Sequence, residues 1–565
     1  MVDPAANPHS DRAPDRAASD RRAPPDRRLV ATALSSPRVD GGVARRLGVA
    51  LLLLAVIAGV SGAALDAPRS ARGASDEARV LLGAPSTLDP AAAGDSGSSA
   101  VIGQLFESLT AMDPGLNVKP ALAASWEILD GGRRVVFRLR PDLTFSDGSP
   151  LGAGDVVRSW LRIIDPGAPS PLASLMLDVT GARDYLAGRT IDPASIGLRA
   201  VGDTVEVDLV RPAADFVSIV ASTTFAVVPD EVDGDPLAAA RDFVGSGGYV
   251  LDAVEDDRLI VRANERYWAG RPAIGSVHLI NDLAGGSIVA AYEAGDLDYT
   301  PVSGIDAPWI RYDETLGPDL REETTPSVSY LAFDTARPPF DDVRVRRAFG
   351  AAVDWRRIVA LSDPDAIVAT GLVPPGIPGR SERDFLPVHD PATARDLLDA
   401  AGYPDGAGFP DVAIVSTGFG LAGAVIEDLR RELGIELRHE TIDFDVLSDR
   451  LIDDPPSIWT LGWIADYPGP NDFLGVLLRS DEANNHGGWS SREFDAALDR
   501  ALSAATPKDA QAGFDAAQVI LQRDVPLVPL QYDAGWALAR AGLLGANLDG
   551  LGNLRLAGLA WEDGS

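Results

Sequence analysis

RRVVFRLRPDLTFSDGSPLGAGDVVRSWLRII, residues 133–164, changes its hydrophobic period halfway along, and that change decides the fold class. Arg133–Leu139 alternates at the period of two that lays one face of a strand on a core. Ala153–Ile164 carries apolar residues at helical spacing, with Asp155 near its start, where the aligned peptide dipoles favour an acid. The same alternation recurs outward in both directions. Strand-like runs stand at Arg79–Ala84, Val205–Leu209, Leu259–Val261, Val277–Ile280, Tyr330–Phe333 and Val412–Val415. Helical spacing fits Ser99–Thr110, Val343–Val353, Ala392–Ala401, Ala424–Leu433, Arg492–Ala504 and Asp509–Gln522. The expectation is an α/β body with mixed sheets and no internal repeat.

The chain has 565 residues, too many for one core, so several units are expected. A hydrophobic share of 46% against 24% charged residues is that of a folding body and excludes wholesale disorder. The net charge is -33; the first 46 residues hold nine Arg against six Asp, a surplus of +3 that leaves -36 on the rest. Such a body repels nucleic acid and anionic lipid and accommodates a cationic or zwitterionic ligand. Lysine is confined to Lys119 and Lys508, which reads as compositional bias. There is no cysteine, which removes disulfides, thiolate metal sites, a thiol nucleophile and a lipid-modified N-terminal Cys. His9, His278, His389, His439 and His486 are scattered with no metal-binding spacing.

The N-terminal region speaks to compartment. Residues 1–46, rich in Arg, Asp, Pro and Ala, read as a disordered cytoplasmic tail. Arg45 and Arg46 then precede the uncharged run LGVALLLLAVIAGVSGAAL, residues 47–65, long enough to cross a bilayer as a helix with its arginine side inside. Two fates fit this run. It is a retained anchor, or a signal segment cleaved among the small residues Ser61–Ala64, the second becoming ordinary if translation begins at a codon such as that of Val43. Both place everything beyond the linker 66–78 outside the cytoplasm.

No nucleophile elbow, phosphate loop or kinase motif is present, and Gly245–Gly248 reads as a turn entering the strand Tyr249–Leu251 rather than a dinucleotide fingerprint. The carboxylates are too numerous for a glycosidase pair to be singled out. An enzyme is therefore the weaker expectation, and neither a cofactor nor a metal is expected.

Several segments, in order along residues 79–562, resemble the large solute-binding proteins of peptide importers, family 5 of the ABC-transporter receptors. They are Ser86–Pro90 (STLDP), Leu105–Leu109 (LFESL), Pro120–Glu127 (PALAASWE), Phe137–Pro141 (FRLRP) and Phe145–Leu151 with Asp155–Trp160 (FSDGSPL…DVVRSW). Gly247–Tyr249, Phe340–Ala348 (FDDVRVRRA) with Ala352–Asp354, Gly371–Gly376, Leu397–Tyr403, Gly462–Tyr467 (GWIADY) and Asn484–Asn485 continue the series.

The resemblance implies a bilobal, flytrap-like α/β fold with an extra inserted domain. Its parts are a discontinuous first domain (79–105, 230–325 and 526–565), a second inserted in it (106–229) and a third forming the opposite lobe (326–525). It implies a peptide ligand held between lobes that close about a hinge, a permease with its ATPase as partner, attachment to the membrane through the N-terminal segment, and a monomer. Within it, the acid of the GWIADY motif, Asp466, pairs with the ligand's α-ammonium, and Trp463 and Tyr467 wall the cleft. Asn484 and Asn485 either touch ligand or hold a loop, and Arg450 is a candidate for the ligand carboxylate. Arg344 and Arg346, at a helix start, are expected in structural ion pairs. Two departures bear on the ligand: Leu172, within Ser170–Ser174, stands where oligopeptide receptors tend to carry Tyr, and the acid expected after the opening motif is not evident around Gly94.

Overall fold

The structure is a computed structural model that describes residues 76–213, 215–230, 243–324, 326–362, 366–418, 420–504, 506–532 and 534–562. The expected tail 1–46, the segment 47–65 and nearly all of the linker lie outside the described residues, among which no helix is long and apolar enough to cross a membrane.

Three large sheets organise the chain. The first has seven strands in the order Leu320–Thr324, Ala534–Ala539, Tyr299–Val302, Glu77–Leu81, Ser276–Ile280, Arg258–Ala263 and Tyr249–Val254. It is mixed: Glu77–Leu81 runs parallel to Ser276–Ile280, while the outer pairs are antiparallel. The second has four antiparallel strands, Ala123–Leu129, Arg134–Leu139, Thr204–Asp208 and Leu198–Val201. The third has six, in the order Ile367–Val368, Leu527–Tyr532, Ser327–Phe333, Ile458–Ile464, Val412–Ser416 and Leu437–Thr441. The α/β expectation with mixed sheets holds.

The opening stretch folds as its two periods require. Arg134–Leu139 turns Val135, Phe137 and Leu139 to the core. In the helix Ala153–Ile163 the Asp155 carboxylate accepts a hydrogen bond from Gly152 N at 2.7 Å, closing the first turn. The helix lays the fully buried Trp160 on that strand, edge-on to Phe137 and Phe225 with centroids 6.2 and 5.4 Å away. Trp160 Nε1 donates to Phe225 O at 3.0 Å, so the ring is buried without a lost polar partner.

The chain leaves the seven-stranded sheet after Leu105 and returns to it at Tyr249, and these two crossings are bound side by side. Val227 N donates to Glu107 O at 2.9 Å, Glu107 N to Ser246 Oγ at 3.0 Å, and Gly247 N to Leu105 O at 2.9 Å. The approach is so close that a Cβ at Gly247 would stand 2.4 Å from Gln104 O, which is why glycine occupies the turn.

Two expectations are corrected. The helix read over Ser99–Thr110 spans Ser96–Leu105, because Glu107 bridges Val227 and Thr110–Met112 pairs with Val118–Pro120: tertiary pairing takes these residues out of the helix. The last crossing was expected at residue 526, yet Leu527–Tyr532 pairs with Ser327–Phe333 inside the six-stranded sheet, and only Ala534–Ala539 joins the seven-stranded one. Arg344 and Arg346 are structural: Arg344 pairs with Asp342, and the buried Arg346 donates to Phe340 O at 2.6 Å and Asp524 O at 3.1 Å.

Candidate functional site

The strand Ile458–Ile464 is antiparallel to Ser327–Phe333 along its whole length, from Phe333↔Ile458 to Ser327↔Ile464. On its other side it meets Val412–Ser416 only through Ile458 and Trp459. Thr460–Ile464 therefore runs past its neighbour, with Gly462 and Ile464 exposed. This overrun lies beyond the carboxyl ends of the parallel strands of the sheet, where open α/β sheets bind ligands.

Asp466 follows directly. Its backbone N donates to Asp472 Oδ2 at 3.2 Å, and Trp463 Nε1 donates to the same oxygen at 3.0 Å. Asp472 opens a π-helical turn, Asp472–Val476, whose extra residue per turn swings its carboxyl back over the strand end. Asp472 is fully buried, and its Oδ1 has no partner among the described residues. Burial, reinforced by the neighbouring Asp466 charge, holds its carboxyl well above the usual range.

Asp466 itself keeps partial solvent access, yet burial pushes its carboxyl up to about 7. Crowding by protein with access retained is the situation of a cleft wall. Among the described residues the Asp466 carboxylate has no hydrogen-bond or ion-pair partner, and no cation lowers it. Two neighbouring acids thus stand together without a cationic partner among the described residues.

Trp463 is half-buried and packs against both the core of the four-stranded region and that of the six-stranded region, so the site stands on the seam between them. Other contacts cross the same seam. Arg211, ion-paired with Asp178 through Nε at 2.8 Å, donates from Nη1 to Leu502 O at 2.8 Å. Arg183 meets Asp481 at 3.4 Å, and Asn484 Nδ2 reaches Pro171 O at 3.5 Å. Pro171 and the buried Leu172 belong to the stretch singled out in the sequence.

The remaining expected site residues fall differently. Tyr467 is 1% exposed, set in the core of the four-stranded region with its hydroxyl accepting from Asn471 Nδ2 at 3.1 Å. The expectation that it walls the cleft is corrected: an enclosed ring supports the site from behind. Asn485 donates to Arg479 O and Trp489 O at 3.2 and 2.6 Å and accepts from Trp489 N, so its amide holds a loop. Arg450, on the helix Phe444–Asp453, pairs with Glu440 at 3.3 Å, and none of its contacts joins it to the Trp463–Asp472 cluster. The acid missing near Gly94 has a neighbour in Asp95, which caps the helix Ser96–Leu105 through Ser98 N at 2.8 Å.

Sequence reading missed Asp472, Asn471 and Arg211. A signal existed for the first two: an Asn-Asp pair entering the apolar run Phe473–Leu478 is bound to be buried and needs partners. Nothing local marks Arg211.

Residues 117–485, more than half of the chain, match the family described as bacterial extracellular solute-binding proteins, family 5 Middle. The probable deoxycholate-binding periplasmic protein YgiS of Escherichia coli is 32% identical over 471 residues, covering 79% of this chain and 86% of that protein. The periplasmic murein peptide-binding protein MppA of Escherichia coli is 28% identical over 480 residues, covering 80% and 86%. The solved murein tripeptide-binding protein MppA of Escherichia coli overlays with a TM-score of 0.78 at 25% identity, covering 86% of this chain and 98% of that one. Haemophilus influenzae OppA in complex with RPPGFSPFR overlays at 0.77, with 24% identity and coverage of 86% and 99%. The unliganded open form of MppA overlays with a TM-score of 0.62, at 24% identity and coverage of 86% and 97%. Strand order, seam and motif series meet in one conclusion: the chain is a bilobal member of the bacterial extracellular solute-binding proteins, family 5.

Proposed function

We propose that this chain captures peptides bearing a free α-ammonium between its lobes and delivers them to an ABC-type permease in the membrane, and that it is not an enzyme. The observation that carries the reading is Asp466, a cleft carboxylate without a basic partner among the described residues, placed at the end of a strand edge open from Thr460 to Ile464. An extended ligand adds to that edge through its backbone, which gives affinity with little side-chain selectivity. Its ammonium then meets Asp466 in a charge-assisted bond worth about 1.5–3 kcal/mol. Trp463 supplies a half-buried ring beside that ammonium, adding roughly 0.5–2 kcal/mol of cation–π attraction. Arg450, with only Glu440 as ion-pair partner among the described residues, is the cation offered to a ligand carboxylate, and Asn484 contributes to closure. Closure excludes water and strengthens each charge contact inside.

The protein acts as a monomer, held outside the cytoplasm by residues 47–65 or released by cleavage within them; N-terminal sequencing of the mature chain distinguishes the two. Native mass spectrometry of the purified body, followed by titration with di- to pentapeptides and their N-acetyl forms, tests the ligand class. Preference for the free amine supports the reading, and equal binding of both forms refutes it.

A second reading has support of its own. A relative 32% identical is named for deoxycholate, an anionic amphiphile. Such a ligand is repelled by an ionised Asp466, so its affinity rises on Asp466→Asn, the opposite of the peptide case.

A further inference from the structure

The reading of Asp466 as the partner of a ligand ammonium leaves open what becomes of the protons on the two acids, and the inference below rests on that reading. Asp472 Oδ2 takes both the indole N–H of Trp463 and the backbone N–H of Asp466, whereas Oδ1 is buried and has no partner. An ionised carboxylate with one bare buried oxygen is far costlier than a neutral acid in the same place. The groups packed around the pair offer no relief. On its own loop stand Trp463, Tyr467 and Asn471, all neutral. In the four-stranded region Asp215, itself raised by burial, and Arg211, whose guanidinium is already engaged by Asp178 and by Leu502 O, act on Tyr467 and not on either acid.

We propose that Asp466 and Asp472 form a proton-carrying pair: Asp472 keeps its proton on Oδ1 and holds the backbone of Asp466 in place, and Asp466 gives its own proton up when a ligand ammonium arrives. In that step the O–H bond of the Asp466 carboxyl breaks and the proton passes to solvent. The ammonium keeps its three hydrogens, and an ammonium–carboxylate pair remains. Asp472 acts as a positioning residue, through its hold on Asp466 N. The upward displacement of both acids agrees with this arrangement.

The test is calorimetric titration of the whole exported body with trialanine in buffers of different ionisation enthalpy, which counts the protons exchanged. The unaltered protein is expected to release about 0.4 proton per site at pH 7 and about 0.9 at pH 6, and to take up roughly 0.8 at pH 8.5, where most of the free peptide must first gain the proton of its own α-ammonium. Heats independent of buffer at pH 6–7, with trialanine still bound more tightly than N-acetyltrialanine, overturn the proton coupling and leave the ammonium contact standing. Equal binding of the two peptides, or binding of neither, overturns both. Asp472→Asn keeps an oxygen for Trp463 and Asp466 N while removing the acid. It is expected to leave the midpoint of the affinity–pH curve in place, because a neutral amide replaces a neutral acid; a midpoint lowered by about one unit or more shows Asp472 ionised in the unaltered protein and refutes its part. The proton count on the unaltered protein decides the coupling even if that variant does not fold.

Discussion

Replacing Asp466 by Asn should make the ligand-free protein more stable and the loaded protein weaker, and the two effects can be measured apart. Burial raises the Asp466 carboxyl from its ordinary value of 3.8 to about 7. A shift of about three units corresponds to about 4 kcal/mol at 1.36 kcal/mol per unit. Because the residue keeps partial access to solvent, roughly half of that, about 2 kcal/mol, is the figure to expect. The sign follows from proton linkage. A carboxyl whose folded pKa lies above its unfolded value contributes stability that is full below pH ~4 and lost as pH rises through ~7. Asp466→Asn removes this dependence. In urea denaturation of ligand-free protein, the variant should match the parent near pH 4 and exceed it by about 2 kcal/mol at pH 8. At pH 8 the same variant should bind a free-amine peptide about 10- to 150-fold less tightly, the loss of a bond worth about 1.5–3 kcal/mol. Gained stability with lost affinity is the mark of a group kept for binding. A variant less stable than the parent at pH 8, or a stability difference that does not grow with pH, would refute the reasoning.

Three further outcomes follow from the packing. Trp160→Ala should cost about 3–5 kcal/mol in chemical denaturation, since it empties the aromatic centre formed with Phe137 and Phe225, while peptide affinity of the folded fraction stays unchanged. Tyr467→Phe removes the acceptor for Asn471 Nδ2 and should lower stability by about 1 kcal/mol, with ligand affinity within about twofold because the ring is enclosed; a tenfold loss would show that it lines the cleft after all. Arg211→Ala breaks the bond to Leu502 O across the seam and leaves Asp178 unpaired. Small-angle scattering should then report a more open ligand-free particle, and peptide affinity should drop by about tenfold, as for a lost charged hydrogen bond of about 1.5 kcal/mol.

Where the sequence spoke clearly, the signal was local. The helices at Ala153–Ile163, Val343–Ala352 and Pro391–Ala400 lie within a residue or two of their expected bounds, because each buries one face at its own period and ends on its own caps. The strand that carries the site was not legible. Ile458–Ile464, IWTLGWI, has no alternation of apolar and polar residues, since it is paired along one edge and overruns its neighbour on the other. Leu527–Tyr532 contains Pro529, which argues against a strand between two neighbours, yet it pairs with Ser327–Phe333 across an irregular register.

By itself, then, the sequence determined the alternation of strands and helices and the family, because periodicity and motif order are written in consecutive residues, and it pointed to the acid of the GWIADY motif as the site's candidate. Only the tertiary structure decided that Asp466 lacks a cation among the described residues, that Asp472 stands behind it, that Tyr467 is enclosed and that Asn485 is spent on its own loop. Those facts depend on which groups the fold brings within 3 or 4 Å. Arg211 reaches Leu502 across the seam only because the lobes lie together, a separation of 291 residues that no local pattern encodes.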